Sequence, residues 1–169
     1  MKKYLKNSVL AIMVMMTVCM FTACGGDDDS SDSGASGIGV HRIDVQFSDN
    51  AAGCEAITIF YGMKQDGSYA ALYENGRSLP LESSTHTWMT ADIRDISVQT
   101  EDGCGALEAS ITVMGPDGNA VSSDVTVTAV GYVNGKRIKT QVFTLPAGKY
   151  IMSGGFVTED TKTYPEVTE

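Results

Sequence analysis

The 169-residue sequence has one tryptophan, four prolines, four cysteines and two histidines, and its 12 Lys and Arg are outnumbered by 21 Asp and Glu. Each scarcity excludes something. Beyond Lys2, Lys3 and Lys6 at the amino-terminal end, basic residues cluster once, at Lys136, Arg137 and Lys139, which is too little for a nucleic-acid surface. His41 and His86 are the only histidines, and HExxH, CxxC and EF-hand spacings are absent, so neither a metal nor a cofactor is expected. GxSxG and a phosphate-cradling glycine loop are missing as well, and no nucleophile stands in a recognisable setting, so no catalytic residue can be named. The carboxylates are too numerous to single out an acid pair, which makes a small hydrolase the least supported function. Long apolar runs are also lacking. The apolar run from Ser8 to Ala23 has 16 residues, none of them charged, short of the roughly 20 that a membrane-spanning helix requires.

That stretch follows Lys2, Lys3 and Lys6, and residues 1–23 read as a signal peptide. Cys24 comes directly after it. The tetrapeptide "FTAC" at 21–24 resembles the lipobox of bacterial lipoproteins, with Phe21 where leucine is more usual. The resemblance implies cleavage before Cys24 and a diacylglyceryl group on its sulfur, carrying acyl chains of the palmitate kind. At about 0.8 kcal/mol per buried methylene, two or more chains hold a protein stably where one does not. Residues 24–37 then form a linker in which Gly25 to Gly37 carries Asp27, Asp28, Asp29 and Asp32 and no aromatic. Such a composition cannot repay the entropy of ordering. It reads as a tether with an r.m.s. reach of about 20 Å. An acidic run just after the acylated cysteine is similar to the export signal of Bacteroides-group surface lipoproteins, which implies the outer membrane, facing the cell exterior. Loss of the signal removes three of the 12 basic residues, leaving nine against 21 acidic ones and a net charge of −12.

The remainder, residues 38–169, alternates apolar and polar side chains between turn signals. "RIDVQF" puts Ile43, Val45 and Phe47 on one face, "EAITIFYGM" groups Ile57, Ile59, Tyr61 and Met63, and "DISVQT" groups Ile96 and Val98. "ASITVM" sets Ile111 and Val113 opposite Ser110, Thr112 and Met114. No helical periodicity of useful length competes. Asn134-Gly135 predicts a two-residue type I′ hairpin, because both positions accept positive φ. Counting outward from Val133 and Lys136 pairs Val127 with Val142, Ala129 with Thr140 and Gly131 with Ile138. Asp66-Gly67 predicts a second hairpin, and Gly115 to Asn119 a third turn. About eight or nine strands predict an all-β domain, an antiparallel two-sheet β-sandwich of immunoglobulin-like or transthyretin-like form. Residues 111–156, with a "DG" turn and "LPAGKY", resemble transthyretin-like and collagen-adhesin B-type domains, which implies that Tyr150 pins a corner.

With Cys19 removed and Cys24 acylated, Cys54 and Cys104 remain, and an even pair in an exported chain reads as a disulfide. Both precede strands, so a bridge requires those strands to begin at the same end of the sandwich. Closing a loop of about 50 residues contributes about 4 kcal/mol. The alternative is two free thiols or metal ligands, and a metal site would need partners, for which His41 and His86 are the only histidines.

A tight hairpin at Asp66-Gly67 puts Phe60, Tyr69 and Tyr73 on one face, with Trp88 elsewhere. These rings are the candidate ligand-binding residues, since flat aromatics hold sugars and proteins at low entropic cost. The competing reading puts the same face in the inter-sheet core. The expected function is a lipid-anchored, surface-exposed binding or accessory protein of the bacterial outer membrane, for a glycan or a protein. A structural pilus or envelope component, joined by strand addition at a sheet edge, is the alternative.

Overall fold

The computed structural model describes residues 37–159, so the signal peptide, Cys24 and the acidic run at 27–32 lie outside the described residues. Ten strands form. They are β1 (His41–Phe47), β2 (Glu55–Lys64), β3 (Leu72–Glu74), β4 (Arg77–Ser78), β5 (Trp88–Thr90), β6 (Ile96–Thr100), β7 (Cys104–Met114), β8 (Val125–Val133), β9 (Lys136–Leu145) and β10 (Ile151–Val157). Two antiparallel sheets result, one ordered β4-β3-β6-β1-β8-β9 and the other β10-β7-β2-β5. The chain is all-β, as the period-two pattern predicts.

The core lies between the sheets. Ile43, Val45, Val98, Val125, Val127 and Ala129 enter it from the six-stranded sheet, and Phe60, Ile111 and Val113 from the four-stranded one. Burying each of these valine, isoleucine and phenylalanine side chains contributes about 1.5–3 kcal/mol. On β2 the row that the sequence groups is not the row that faces the core, and the reading that put the Phe60 face between the sheets holds. Ala56 and Phe60 face inward, whereas Ile57, Ile59, Tyr61 and Met63 face out and are only half-buried. Both faces of this strand are apolar, so alternation alone gives no sign of which one is covered.

Asn134 and Gly135 adopt φ of 51° and 79°, the predicted type I′ turn, and Val133 pairs with Lys136. Two pairs further on, a bulge between Gly131 and Tyr132 shifts the register by one. Val127 therefore faces Phe143, Ala129 faces Gln141 and Gly131 faces Lys139. The shift turns Leu145 and Phe143 inward and leaves Ile138 and Val142 exposed. Phe143 lies over Gly154, where any Cβ would collide with its ring.

The second hairpin is also one residue off. Met63 bridges Tyr69, Lys64 N donates to Ser68 O at 2.8 Å, and Gly67 N donates to Lys64 O at 3.1 Å with φ of 79°. This three-residue loop has glycine in the left-handed position. The chain then leaves the four-stranded sheet, and β3 joins β6 in the other. Tyr150, which the adhesin resemblance places in a corner, is instead 61% exposed.

Candidate functional site

The sandwich interface and the aromatics decide together which surface is open. Phe60 is fully buried, with the Trp88 ring of β5 against it at 5.8 Å between centroids. Trp88 is half-buried at the edge of the core. Tyr73 sits on β3 opposite Ser78 and Gln99, in the other sheet. Tyr69 is 47% exposed and stacks on His86, 4.2 Å between centroids and 8° between planes. The four proposed ligand-binding rings therefore do not form one platform. Phe60 and Trp88 belong to the core and its margin, because the chain changes sheets between Lys64 and Leu72.

The disulfide is also corrected: Cys54 and Cys104 are free. They precede or open strands that are antiparallel neighbours, the arrangement that cannot bring them together. Cys104 pairs with Lys64 at one end of β2, while Cys54 lies just before Glu55 at the other. Ten residues of strand separate them, about 33 Å, against the roughly 7 Å between Cα atoms that a disulfide tolerates. Burial pushes both thiols above their ordinary pKa.

The remaining candidate surface is the outward face of the four-stranded sheet. Along β2 it presents Ile57, Ile59, Tyr61 and Met63, continued by Met89 of β5 opposite Ile59. Across the sheet, β7 and β10 carry smaller residues on this face, with Thr112 opposite Ile57 and Ser153, and Ser110 opposite Ile59 and Gly155; Thr112 itself is fully buried. Thr112 and Ser153 share a hydrogen bond of 3.0 Å between hydroxyls. At one end the Tyr61 hydroxyl donates to Glu108 Oε2, and burial together with that carboxylate raises the phenol pKa. A ridge of aliphatic and thioether side chains beside a shelf of small ones offers soft apolar contact and few aimed polar groups.

Two shallow, open depressions of about 400 Å³ lie elsewhere. The first is lined by Arg42, Asp44, Glu74 and Asp95 among others. Two of its three acids, Asp44 and Glu74, are engaged by guanidinium groups: Arg42 Nε stands 3.1 Å from Asp44 Oδ1, a charge contact whose N–H is poorly aimed. Arg94 Nη2 donates to Glu74 Oε2 at 3.2 Å, and that carboxylate raises the Arg94 pKa. The second is lined by Phe47, Asp49 and Arg94 with their neighbours. Among the described residues no group of three His, Cys, Asp or Glu side chains is placed to hold a metal ion.

His41 is fully buried. Its Nε2 lies 2.9 Å from Gly37 O and 3.1 Å from Cys104 O. Two carbonyls place the proton on Nε2, so Nδ1 accepts from the Thr158 hydroxyl at 2.7 Å. The ring is a structural latch. What the sequence did not reveal is the outward face of β2, since its residues have the size and hydropathy of a core row.

No protein-family model matches the chain, and no curated protein does. Solved structures do. A domain of unknown function, DUF4425, from Bacteroides vulgatus superposes with a TM-score of 0.61 at 17% identity, covering 73% of this chain and 98% of that one. A DUF4425 family protein from Bacteroides ovatus gives 0.58 at 20%, with 71% and 94% covered. The calcium-bound form of a protein from Parabacteroides distasonis gives 0.52 at 15%, with 78% and 99% covered. At these identities the likeness is one of fold: the chain shares its β-sandwich with DUF4425 proteins of Bacteroides.

Proposed function

We propose that this protein is a lipid-anchored accessory protein of a bacterial outer membrane, facing the cell exterior, that binds another protein through the outward face of its four-stranded sheet. The observation that carries the binding reading is the distribution on β2, where Ile57, Ile59, Tyr61 and Met63 point to solvent while Ala56 and Phe60 point to the core. Apolar ridges of this kind mark protein contacts. Aliphatic and thioether groups favour a protein over a glycan, which calls for open aromatic planes, and here the open ring of Tyr69 is stacked on His86. The anchor reading rests on "FTAC" and the acidic run behind it.

Two experiments test the two halves separately. Cys24→Ser releases the chain from the membrane fraction or blocks its processing; unchanged retention overturns the anchor. A photo-crosslinking residue in place of Ile59 gives one discrete adduct on intact cells, and the same residue in place of Gly76 gives none. Absence of the Ile59 adduct overturns the binding face.

A structural role in a pilus or envelope is favoured by a different observation. β9 ends its sheet, ten residues long, with Val142 57% exposed and Ile138 40% exposed. Strand addition there requires the edge to be open.

A further inference from the structure

The outward face of the four-stranded sheet carries charge of one sign. Of the residues that point outward from β2, β7 and β10, the charged ones are Glu55 and Glu108, and both are acids. Among the described residues no Lys or Arg forms an ion pair with either. Lys64, the one cation of β2, meets Glu101 Oε1 at 2.9 Å instead.

The two acids differ in setting. Glu55 is exposed at the start of β2, whereas Glu108 is half-buried in the middle of a row, directly opposite Tyr61 on β2 and Val157 on β10. The Tyr61 hydroxyl donates to Glu108 Oε2 and so holds the carboxylate in place. Met63 follows Tyr61 on the same face and bridges Tyr69, which brings a second phenol ring diagonal to Tyr61, about 7–8 Å away. On the other side of Glu108 there is room. Gly155 lies diagonal to it across β7 and β10, and a Cβ added there would meet no atom within 4 Å. Glu108 is thus a steadied carboxylate with rings and a thioether on one flank and an opening over Gly155 on the other.

We propose that the protein bound by this face presents an arginine whose guanidinium meets Glu108 and whose stem lies over Gly155, with apolar neighbours on the Ile59 and Met63 ridge. The inference rests on the reading of this face as a protein-binding surface and names what the partner must bring. Charge selects the occupant. Covering a half-buried carboxylate with an uncharged or acidic surface leaves it dry and unpaired, which is costly, whereas a cation compensates the lost water. Size and shape select arginine: its methylene stem covers apolar surface, and its weakly hydrated planar head suits both a carboxylate and the ring faces of tyrosine. A second copy laid face to face brings carboxylates against carboxylates, so the occupant is a different protein.

Methionine-methyl NMR on the full chain as cells make it, kept in uncharged detergent, tests the proposal. Met63 and Met89 report on the face, and Met152 on the margin of the core. The probes are the peptide acetyl-Leu-Arg-Leu-amide and its citrulline counterpart, which keeps the shape and loses the charge. The arginine peptide is expected to shift Met63 and leave Met152 in place, and to bind about tenfold more tightly than the citrulline peptide, the scale of one charge-assisted hydrogen bond. Glu108→Gln, which still accepts from the Tyr61 hydroxyl, brings the two peptides within about twofold of each other, while Glu55→Gln leaves the preference as it was. Equal affinity of the two peptides for the native chain, with Met63 shifted by both, overturns the arginine and keeps the face. A preference that survives Glu108→Gln overturns the proposal as well. So does a Met63 that neither peptide moves, and the Ile59 adduct on intact cells then decides whether the face falls with it. A Met63 shift that grows with protein concentration alone identifies a second copy as the occupant and overturns the proposal too.

Discussion

His41 Nδ1 and Thr158 Oγ1 lie 2.7 Å apart although 117 residues separate them. Through this contact the first strand is joined to the residue that follows the last. The same hydroxyl accepts the Leu107 N–H at 2.9 Å, so one threonine ties the histidine to the middle of β7. His41→Ala takes the imidazole away from Gly37 O, Cys104 O and Thr158 Oγ1; Cys104 O keeps the Gly39 N–H and Thr158 Oγ1 keeps Leu107, so the loss is that of a fully buried ring and its three contacts. The expected cost is about 2–4 kcal/mol, read from urea unfolding of the variant. Thr158→Val, which keeps the shape, costs less, about 1–3 kcal/mol. Equal stability of His41→Ala and the native chain contradicts the latch.

The burial pattern of β2 separates two neighbouring residues by their role. Phe60→Ala is expected to lose about 3–5 kcal/mol, as a buried aromatic does. Ile59→Lys next to it is expected to stay within about 1 kcal/mol, as an outward position does. The two unfolding midpoints measured side by side decide the matter, and a larger loss at Ile59 places the core on the other face.

Acid sensitivity follows from Glu101. Its carboxylate accepts the Ala71 N–H at 3.0 Å and meets Lys64 Nζ at 2.9 Å, and these two partners, in that order, lower its pKa. A carboxyl group whose pKa is lower folded than unfolded contributes stability above its unfolded pKa, and that contribution fades as pH falls through the folded value. Glu101→Gln should therefore lower the melting temperature at pH 7, with the difference from the native chain closing as the pH is taken below the ordinary carboxylate range. A difference that is constant with pH contradicts the assignment. The group is part-exposed, so the effect is small and shrinks with salt.

The parts of the fold that could be read in advance are those governed by local chemistry. Alternation in "RIDVQF" and "DISVQT" correctly puts Ile43, Val45, Ile96 and Val98 inside, because on those strands the other face is polar. Asn134-Gly135 announces its turn, because few residue pairs accept positive φ twice. Register and side were hidden where the deciding contact is distant. The bulge beside Gly131 seats Phe143 over Gly154 in another sheet, and nothing near residues 136–145 reports that neighbour. On β2 both faces are apolar, so the choice between Phe60 and Ile59 was made by the packing of the opposite sheet. The cysteines failed for the same reason: their spacing says nothing about β2 and β7 being neighbours of opposite direction.

The position of β1 has a mechanical consequence. It lies within the six-stranded sheet, bonded on one side to β8 over His41–Phe47 and on the other to β6 over Arg42–Val45. Tension drawn through Gly37 along the strand axis loads both ladders in shear, so their hydrogen bonds bear the force together and do not open one after another. A pull from the amino-terminal side thus meets the sheet in its most resistant direction.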